Sequence, residues 1–258
     1  MNSHLRVTMV QCDLAWQEPA TNRHRLAAHF RGLAGHTDLV VLPEMFSTGF
    51  SMEAAALAED MDGPTVGWMR EEAVAMGCVL AGSLIVREGG RHFNRLVWAR
   101  PDGTLAHYDK RHLFRMAGED QRYLPGQDRV IVAWRDWRIN LQVCYDLRFP
   151  VFSRNREDYD LLLYVANWPQ QRRYHWRQLL IARAIENLAC VVGVNRIGAD
   201  ARGLSYSGDS LAIAADGNIL LDALSENGAF QVILDSNELR TYRKEFPANL
   251  DADRFQLE

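Results

Sequence analysis

The chain of 258 residues is 48% hydrophobic and has a formal net charge of −4, with a pI near 6.1. A single domain of this length buries about three quarters of the surface that its unfolded chain exposes. There is no basic excess to attract nucleic acid, and no apolar run approaches the ~20 residues that a membrane span requires. We therefore expect one soluble domain over residues 1–258, without nucleic-acid or membrane partners.

The first half of the chain alternates predicted strands and helices. Gly63-Pro64 is typical of a helix start and Gly77 of a helix end, which predicts a helix over residues 64–76. An amphipathic pattern predicts an earlier helix over residues 21–33. Apolar or alternating runs predict strands over residues 6–12, 38–42, 79–86, 92–99 and 104–108.

The second half continues the alternation and ends in a polar tail. A helix is predicted over residues 174–187, and strands over residues 129–134, 138–143, 161–166, 190–195, 210–214, 219–221 and 229–234. Hairpins combined with a β-α-β unit predict sheets with helices on their outer faces. The tail, residues 241–258, is polar, and one interpretation of it is a frayed terminus.

Three chemically active side chains follow predicted strands. Glu44 follows an apolar run that Pro43 ends, Lys110 follows the strand over 104–108, and Cys144 follows the apolar run over 138–143. Active sites of α/β sheets gather at such strand ends. A thiol with a carboxylate base and an ammonium group can perform nucleophilic catalysis. We predict that the three converge, and that a short helix after Cys144 lowers the pKa of its thiol.

The other three cysteines have a structural interpretation. Cys12, Cys78 and Cys190 lie in apolar strand-like runs, and the chain contains no Cys-x-x-Cys pair. This spacing disfavours a zinc site or a redox dithiol, so we expect three buried free thiols. The N-terminal residues lack a signal-peptide core, which favours the reducing cytoplasm as the location.

Four segments together resemble the nitrilase, or carbon–nitrogen hydrolase, superfamily. They are LPEMF at 42–46, YDKRHLF at 108–114, CYDLRFP at 144–150 and RAIEN at 183–187. The resemblance extends from about residue 6 to residue 235, and ANWP at 166–169 and SGDS at 207–210 are most similar to the omega-amidase branch. It implies a four-layer α-β-β-α sandwich of two mixed sheets. It also implies a homodimer or higher homo-oligomer, with the tail at the subunit interface.

The resemblance implies a separate catalytic role for each site residue. Glu44 would take the proton of Cys144, which attacks an amide carbonyl. Lys110 and the backbone N–H of Tyr145 would hold the resulting oxyanion. No metal or cofactor is implied.

An accessory carboxylate is implied as well. Glu119 matches a second glutamate that many members of the superfamily carry, where it would bind Lys110 or order water and amide. The neighbouring Asp120 is the alternative for this role.

The omega-amidase resemblance implies that the substrate is a small dicarboxylate monoamide such as 2-oxoglutaramate. Arg172 and Arg173 are candidates to bind the distal carboxylate, because a guanidinium can bind it through two hydrogen bonds. Candidates to line the pocket are Phe46, Phe50, Asn167 and Trp168.

Two alternatives stay open on the sequence. The same three residues would serve an N-carbamoyl-amino-acid amidohydrolase or a nitrilase. A non-catalytic interaction module could also keep the fold, although it would have no need for a carboxylate, an ammonium group and a thiol together.

Several charged residues near the motifs are interpreted as structural. We expect ion pairs between Asp146 and Arg148 and between Arg183 and Glu186, because an unpaired buried charge is costly. His112 is expected to satisfy a local hydrogen bond rather than to transfer protons.

Overall fold

The computed structural model of the chain describes residues 3–253, 255 and 256. The helices are α1 Pro19–His29, α2 Ala54–Leu57, α3 Pro64–Met76, α4 Pro150–Ser153, α5 Arg173–Asn187 and α6 Ser236–Glu245. The strands are β1 His4–Gln11, β2 Leu39–Val41, β3 Val79–Glu88, β4 Arg91–Ala99, β5 Leu105–Asp109, β6 Ile131–Trp134, β7 Trp137–Val143, β8 Leu161–Ala166, β9 Cys190–Asn195, β10 Ile197–Ala199, β11 Ser205–Ser207, β12 Leu211–Ile213, β13 Ile219–Asp222 and β14 Gly228–Asp235.

Most strands belong to two mixed, six-stranded sheets. The first has the order β14-β1-β2-β3-β4-β5, and the second has the order β13-β12-β9-β8-β7-β6. Neighbours are parallel along β1-β2-β3 and along β7-β8-β9, and antiparallel elsewhere in both sheets. Strands β10 and β11 form a separate hairpin. The two mixed sheets match the predicted architecture.

Alternation of side chains along the strands builds the layers. Leu39 and Val41 of β2 point into a core that they share with Leu141 of the second sheet, whereas Val40 points outward to Leu26 of α1 and to α3. Helix α5 packs on β9 and β12 of the second sheet. The predicted four-layer α-β-β-α sandwich is therefore confirmed.

Local sequence signals fix several element boundaries. Pro64 occupies the first turn of α3, and Gly77 ends it in a left-handed conformation with φ of +67°. Strand β8 is buried along its whole length, as expected for a central parallel strand of continuous apolar sequence. Strands β8 and β9 have the predicted bounds.

The structure also departs from the predicted elements. Helix α1 begins at Pro19 and ends at His29, so the predicted span of 21–33 is displaced. The hairpin β10–β11 was not predicted, because each strand has only three residues. Gly198 in this hairpin has φ of +85°, which strains any residue with a Cβ, and a Cβ here would lie 2.1 Å from the Asp13 carboxylate unless that side chain moved.

The polar tail begins inside a helix that the sequence did not predict. Helix α6 covers 236–245 and places Leu239 and Tyr242 against the main core. Farther along, Nδ2 of Asn249 donates to Oε1 of Glu157 at 3.0 Å. The prediction for the tail also covers residues 254, 257 and 258, which lie outside the described residues. The described part of the tail thus contacts its own chain.

The strand ends determine where polar side chains can meet. Glu44 follows β2 and Lys110 follows β5 in the first sheet, while Cys144 follows β7 and Asn167 follows β8 in the second. Because the sheets pack face to face, these positions come together at one end of the sandwich. Within the described residues, no helix is both long enough and apolar enough to cross a membrane.

Candidate active site

Lys110 lies at the centre of a buried charged cluster. Its Nζ is 2.9 Å from Oε1 of Glu44 and 2.9 Å from Oε2 of Glu119, and none of the three side chains is exposed. Glu119 also accepts a hydrogen bond from the backbone N–H of Phe114 at 2.5 Å. One ammonium group thus lies between two carboxyl groups, away from water.

Asn94 connects the two carboxylates and was missed by the sequence analysis. Its Nδ2 donates to Oε1 of Glu44 at 2.7 Å and to Oε1 of Glu119 at 3.1 Å. Its Oδ1 accepts from Ser83 Oγ at 2.8 Å, which orients the amide. An asparagine in the buried part of β4 was the available signal, because buried polar groups need partners.

Cys144 begins a short 3₁₀ helix immediately after β7. Its φ is +46°, a conformation that costs a non-glycine residue about 1–3 kcal/mol. The thiol is only 8% exposed, and the charges of Glu44 and Lys110 lie close enough to act on it. Since the first N–H groups of a helix lack helical acceptors, the N–H of Tyr145 is available at this turn.

Asp146 holds this turn in place. Its Oδ2 accepts hydrogen bonds from the Tyr108 hydroxyl at 2.8 Å and from the N–H of Val143 at 3.0 Å. Its Oδ1 accepts from the N–H of His112 at 2.9 Å and lies 2.7 Å from Nδ1 of the same residue. The local hydrogen bond expected for His112 is confirmed.

The predicted ion pair between Asp146 and Arg148 is wrong. Asp146 already accepts hydrogen bonds from Tyr108 and His112, and the Arg148 guanidinium lies over the ring of Trp168 at 4.7 Å. The predicted pair of Arg183 and Glu186 is confirmed, with Nη1 and Oε1 3.0 Å apart.

Burial sets the protonation of the nucleophile. Burial, together with the negative charge of Glu44, raises the pKa of Cys144 well above its ordinary value, although Lys110 acts in the opposite direction. The lowered pKa expected from the following helix is therefore wrong. In the free protein Cys144 holds its proton at neutral pH and needs a base to remove it.

Burial and neighbouring charges also shift the pKa values of Lys110 and Glu119. Burial favours a neutral Lys110, but Glu119 and Glu44 outweigh this effect and raise the pKa of Lys110 above the usual lysine range. Burial, followed by the charge of Glu44, raises the pKa of Glu119, against the effect of Lys110. The lysine is cationic at all working pH values.

Glu44 is also held from the second sheet. The backbone N–H of Asn167 donates to its Oε2 at 2.8 Å, and Nδ2 of Asn167 donates to its backbone oxygen at 2.5 Å. These bonds leave the carboxylate little freedom, so its orientation toward Cys144 is fixed in advance.

A cavity of about 280 Å³ opens beside the thiol. Its lining includes Cys144, Tyr145, Asn167, Trp168 and Arg172. Glu44 and Lys110 lie behind Cys144, away from solvent. The arrangement can bind a small molecule against a thiol that has a base and a cation at its other side.

A family model for carbon–nitrogen hydrolases matches residues 6–244. The chain belongs to the carbon–nitrogen hydrolase family. This membership places it among hydrolases that act on carbon–nitrogen bonds, and it confirms the assignment to the nitrilase superfamily.

Individual proteins support the same family and its omega-amidase branch. The chain is 48% identical over 256 residues to the omega-amidase YafV of Escherichia coli (strain K12), with 98% of each chain covered. It is 29% identical over 246 residues to the 2-oxoglutaramate amidase of Bacillus subtilis (strain 168), covering 93% of this chain and 95% of that protein. The crystal structure of a CN-hydrolase superfamily protein from Xanthomonas campestris superimposes with a TM-score of 0.97 at 49% identity, covering 99% of each chain. That structure has an arsenic adduct in its active site.

Two of the predicted cavity residues of this hydrolase lie elsewhere. Phe46 is fully buried and packs on Trp68 in the outer core, so its prediction as a substrate contact is wrong. Phe50, which was also predicted to line the pocket, does line the cavity, with its ring 5.2 Å from Nζ of Lys110. Met45 explains the difference, because its φ of +42° turns the chain sharply after Glu44.

Arg173 is the second correction. It begins α5, and its Nη2 lies 2.6 Å from Oδ1 of the buried Asp209, so it does not line the cavity. The prediction for Arg173 as a substrate contact is therefore wrong. Its neighbour Arg172 does line the cavity.

The choice between the two adjacent acids is settled by their placement. Glu119 is buried against Lys110, whereas Asp120 is exposed, with its nearest cation, Arg115, 3.9 Å away. Only Glu119 can act on the charged cluster.

The unpredicted hairpin β10–β11 closes one side of the cavity. Asp200, Arg202 and Leu204 from its turn and Tyr206 from β11 contribute to the lining. The sequence contained no signal for this role, because residues 197–207 form no long apolar or alternating run.

Proposed function

We propose that this chain is an omega-amidase, which hydrolyses the terminal amide of small dicarboxylate monoamides such as 2-oxoglutaramate and releases ammonia. The observation that carries the proposal is that Cys144 lines the cavity with the buried pair of Glu44 and Lys110 close behind it. The names of the similar proteins from Escherichia coli and Bacillus subtilis support the choice of substrate.

In the proposed first half of the reaction, Glu44 takes the proton of Cys144 as the sulfur attacks the amide carbon. The carbonyl oxygen becomes an oxyanion that Lys110 and the N–H of Tyr145 stabilise, at about 3 kcal/mol for each well-placed donor. Glu44 then gives the proton to the amide nitrogen. The carbon–nitrogen bond breaks, ammonia leaves, and a thioester remains on Cys144.

In the second half, water replaces the thiol. Glu44 takes a proton from the water, whose oxygen attacks the thioester carbon, and the same donors hold the second oxyanion. The carbon–sulfur bond breaks, and Glu44 returns the proton to Cys144. We assign Glu119 the role of keeping Lys110 fixed, because two of its contacts with Lys110 are 3.0 Å or shorter.

Substrate contacts form part of the proposal. Asn167 and Trp168 line the cavity next to Cys144, and Arg172 lies at the same wall. We propose that the first two contact the acyl chain and that Arg172 contributes positive charge for a carboxylate.

A substrate panel tests the proposed function. Ammonia release is measured with the purified protein on 2-oxoglutaramate and succinamate, then on an N-carbamoyl amino acid and an aliphatic nitrile, with Cys144→Ala as the control. We expect kcat/KM to be highest for the two monoamides and to vanish in Cys144→Ala. A preference for the carbamoyl compound or the nitrile would establish the alternative enzyme classes. No turnover of any compound would favour a non-catalytic module.

Three wider properties are also proposed. We propose that residues 1–258 form a single domain, which the family match over residues 6–244 supports. We propose a homodimer or higher homo-oligomer with the tail at its interface. A cytoplasmic location is proposed because the four cysteines are all free in the structure, as expected in a reducing compartment.

A further inference from the structure

The segments that follow Glu44 and Lys110 meet in a small hydrophobic cluster, separate from the two larger cores. Its buried members, which we call the bridging cluster, are Met45, Met52, Ala54, Ile85 and Tyr123. Phe50 is partly exposed and packs against it. Because Met45 directly follows Glu44 and Tyr123 comes shortly after Glu119, the bridging cluster joins the chain segments that carry the charged site.

One hydrogen bond of the bridging cluster ties these segments together. The Tyr123 hydroxyl donates to the backbone oxygen of Ser51 at 2.5 Å, and the Tyr123 N–H donates to the backbone oxygen of Glu119 at 2.9 Å. Tyr123 and Ser51 are both buried, so loss of the hydroxyl would leave the Ser51 carbonyl without a partner. Burial, followed by the charge of Glu119, raises the pKa of Tyr123 above its ordinary value, so the hydroxyl remains a donor.

Phe50, the neighbour of Ser51, carries this constraint into the cavity. Its ring lines the cavity and lies 5.2 Å from Nζ of Lys110. On the other side of Phe50, the N–H of Gly49 donates to the backbone oxygen of Met45 at 2.8 Å. The backbone of Phe50 is therefore held on both sides, by the turn at Gly49 and by the carbonyl that the tyrosine hydroxyl binds.

The ring of Phe50 has two effects on the site. Its face attracts the Lys110 cation, which has no exposed surface, and keeps water from it. An ammonium group in such dry surroundings stabilises an oxyanion more strongly than one in water. The ring also forms part of the wall beside the nucleophile, so a shift of the ring would change the shape of the cavity.

We infer that Tyr123 is a positioning residue of this hydrolase, because its hydroxyl fixes Ser51 and thereby the ring of Phe50 against Lys110 and the substrate. Tyr123 does not belong to the described cavity lining, so it acts through Phe50. The inference rests on the proposed function and deepens it by naming a residue outside the cavity on which substrate binding depends.

A double-variant cycle tests the inference. We measure kcat and KM for succinamate on wild type, Tyr123→Phe, Phe50→Ala and the combination of the two. Tyr123→Phe should lower kcat/KM about 10-fold, mostly through KM, as expected for the loss of one buried hydrogen bond. In the Phe50→Ala background, the added Tyr123→Phe should change kcat/KM by less than about 2-fold, because the ring that Tyr123 positions is gone.

Tyr159 provides a matched control. Its hydroxyl donates to the backbone oxygen of Ser153 at 2.5 Å, and its side chain is fully buried and outside the described cavity lining. Tyr159→Phe should lower the urea midpoint of unfolding about as much as Tyr123→Phe does, but should keep the wild-type kcat and KM. If the role of Tyr123 were merely structural, the two variants would behave alike in both measurements.

Each failure has a separate signature. The inference would be overturned, with the proposed function intact, by an unchanged kcat/KM in Tyr123→Phe or by an equal loss in Tyr159→Phe. So would it be if the full effect of Tyr123→Phe persisted in the Phe50→Ala background. A wild type that turns over only an N-carbamoyl amino acid or a nitrile would overturn the proposed function, and the same cycle on that compound would decide the inference separately. No turnover of any compound would overturn both.

Discussion

The ammonium nitrogen of Lys110 lies 2.9 Å from Oε1 of Glu44, and neither side chain has exposed surface. A buried ion pair of this kind contributes little net stability as a pair, but the loss of one partner leaves an uncompensated charge. The pair is therefore suited to hold an oxyanion donor and a base at a fixed distance.

Removal of the cation should damage both folding and activity. We expect Lys110→Met to lower the free energy of unfolding by about 3–5 kcal/mol and kcat by at least about 10³-fold, because two carboxylates lose their counter-ion and the oxyanion loses a donor. Urea unfolding and ammonia release measure the two effects. The exposed Lys244 provides the control, and Lys244→Met should match wild type in both.

A double variant separates the two effects. Adding Glu119→Gln to Lys110→Met removes one of the two orphaned carboxylates, so more than half of the lost stability should return while activity stays absent. If stability did not recover, the charge balance between Lys110 and Glu119 would not be the cause of the loss.

Asn94 should prove essential although it does not reach the cavity lining. Asn94→Asp keeps the shape but replaces the amide donors with a third carboxyl group beside Glu44 and Glu119. Like charges raise the pKa of the new carboxyl, so the variant should be least stable at about pH 8 and regain stability as the pH falls. The free energy of unfolding, measured at about pH 8 and again at lower pH, tests this trend. Asn237→Asp, at the exposed start of α6, is the control. Parallel pH curves for the two variants would contradict the bridging role.

The thiol should become more reactive as the pH rises. Because burial and Glu44 raise the pKa of Cys144, the thiolate fraction is small at neutral pH and grows with alkalinity. Iodoacetamide labelling of Cys144, followed by mass spectrometry, should therefore accelerate from about pH 6 to about pH 9. Glu44→Gln removes the negative neighbour and should shift this curve to lower pH while amide hydrolysis is lost. A rate already constant below pH 7 in wild type would show that the thiol is pre-ionised.

Substitution of Phe46 should affect stability, whereas substitution of Phe50 should affect substrate binding. Phe46→Ala removes a fully buried ring and should cost about 3–5 kcal/mol of stability, with KM little changed. Phe50→Ala removes a ring from the cavity wall and should raise KM with a smaller effect on unfolding. Unfolding and steady-state kinetics on both variants decide the matter. The reverse pattern would restore Phe46 as the substrate contact.

The sequence predicted the parts of the site that follow from strand ends. Glu44, Lys110 and Cys144 each follow the end of a predicted strand, and the topology of the two sheets then brings them together. Asn94 could not be placed in the same way, because it lies within a strand and meets the carboxylates only through the packing of neighbouring elements. Its partners are remote in sequence.

The sequence did not predict where the side chains of the loop residues lie. The positive φ of Met45 decides whether Phe46 or Phe50 faces the cavity, and no pattern of residues reports that angle. Arg148 was expected to pair with Asp146, but Asp146 accepts hydrogen bonds from Tyr108 and His112 of a distant segment. Competition for hydrogen bonds among distant segments is visible only in the folded chain.

The most direct measurement is a mass spectrum of the protein quenched within its first turnovers on 2-oxoglutaramate or succinamate, with Cys144→Ala treated in parallel. The proposed chemistry predicts a mass increase equal to the acyl group, located on the peptide that contains Cys144, reversed by hydroxylamine and absent from the variant. Steady ammonia release without an adduct, or turnover by Cys144→Ala at the wild-type rate, would contradict nucleophilic catalysis by this thiol.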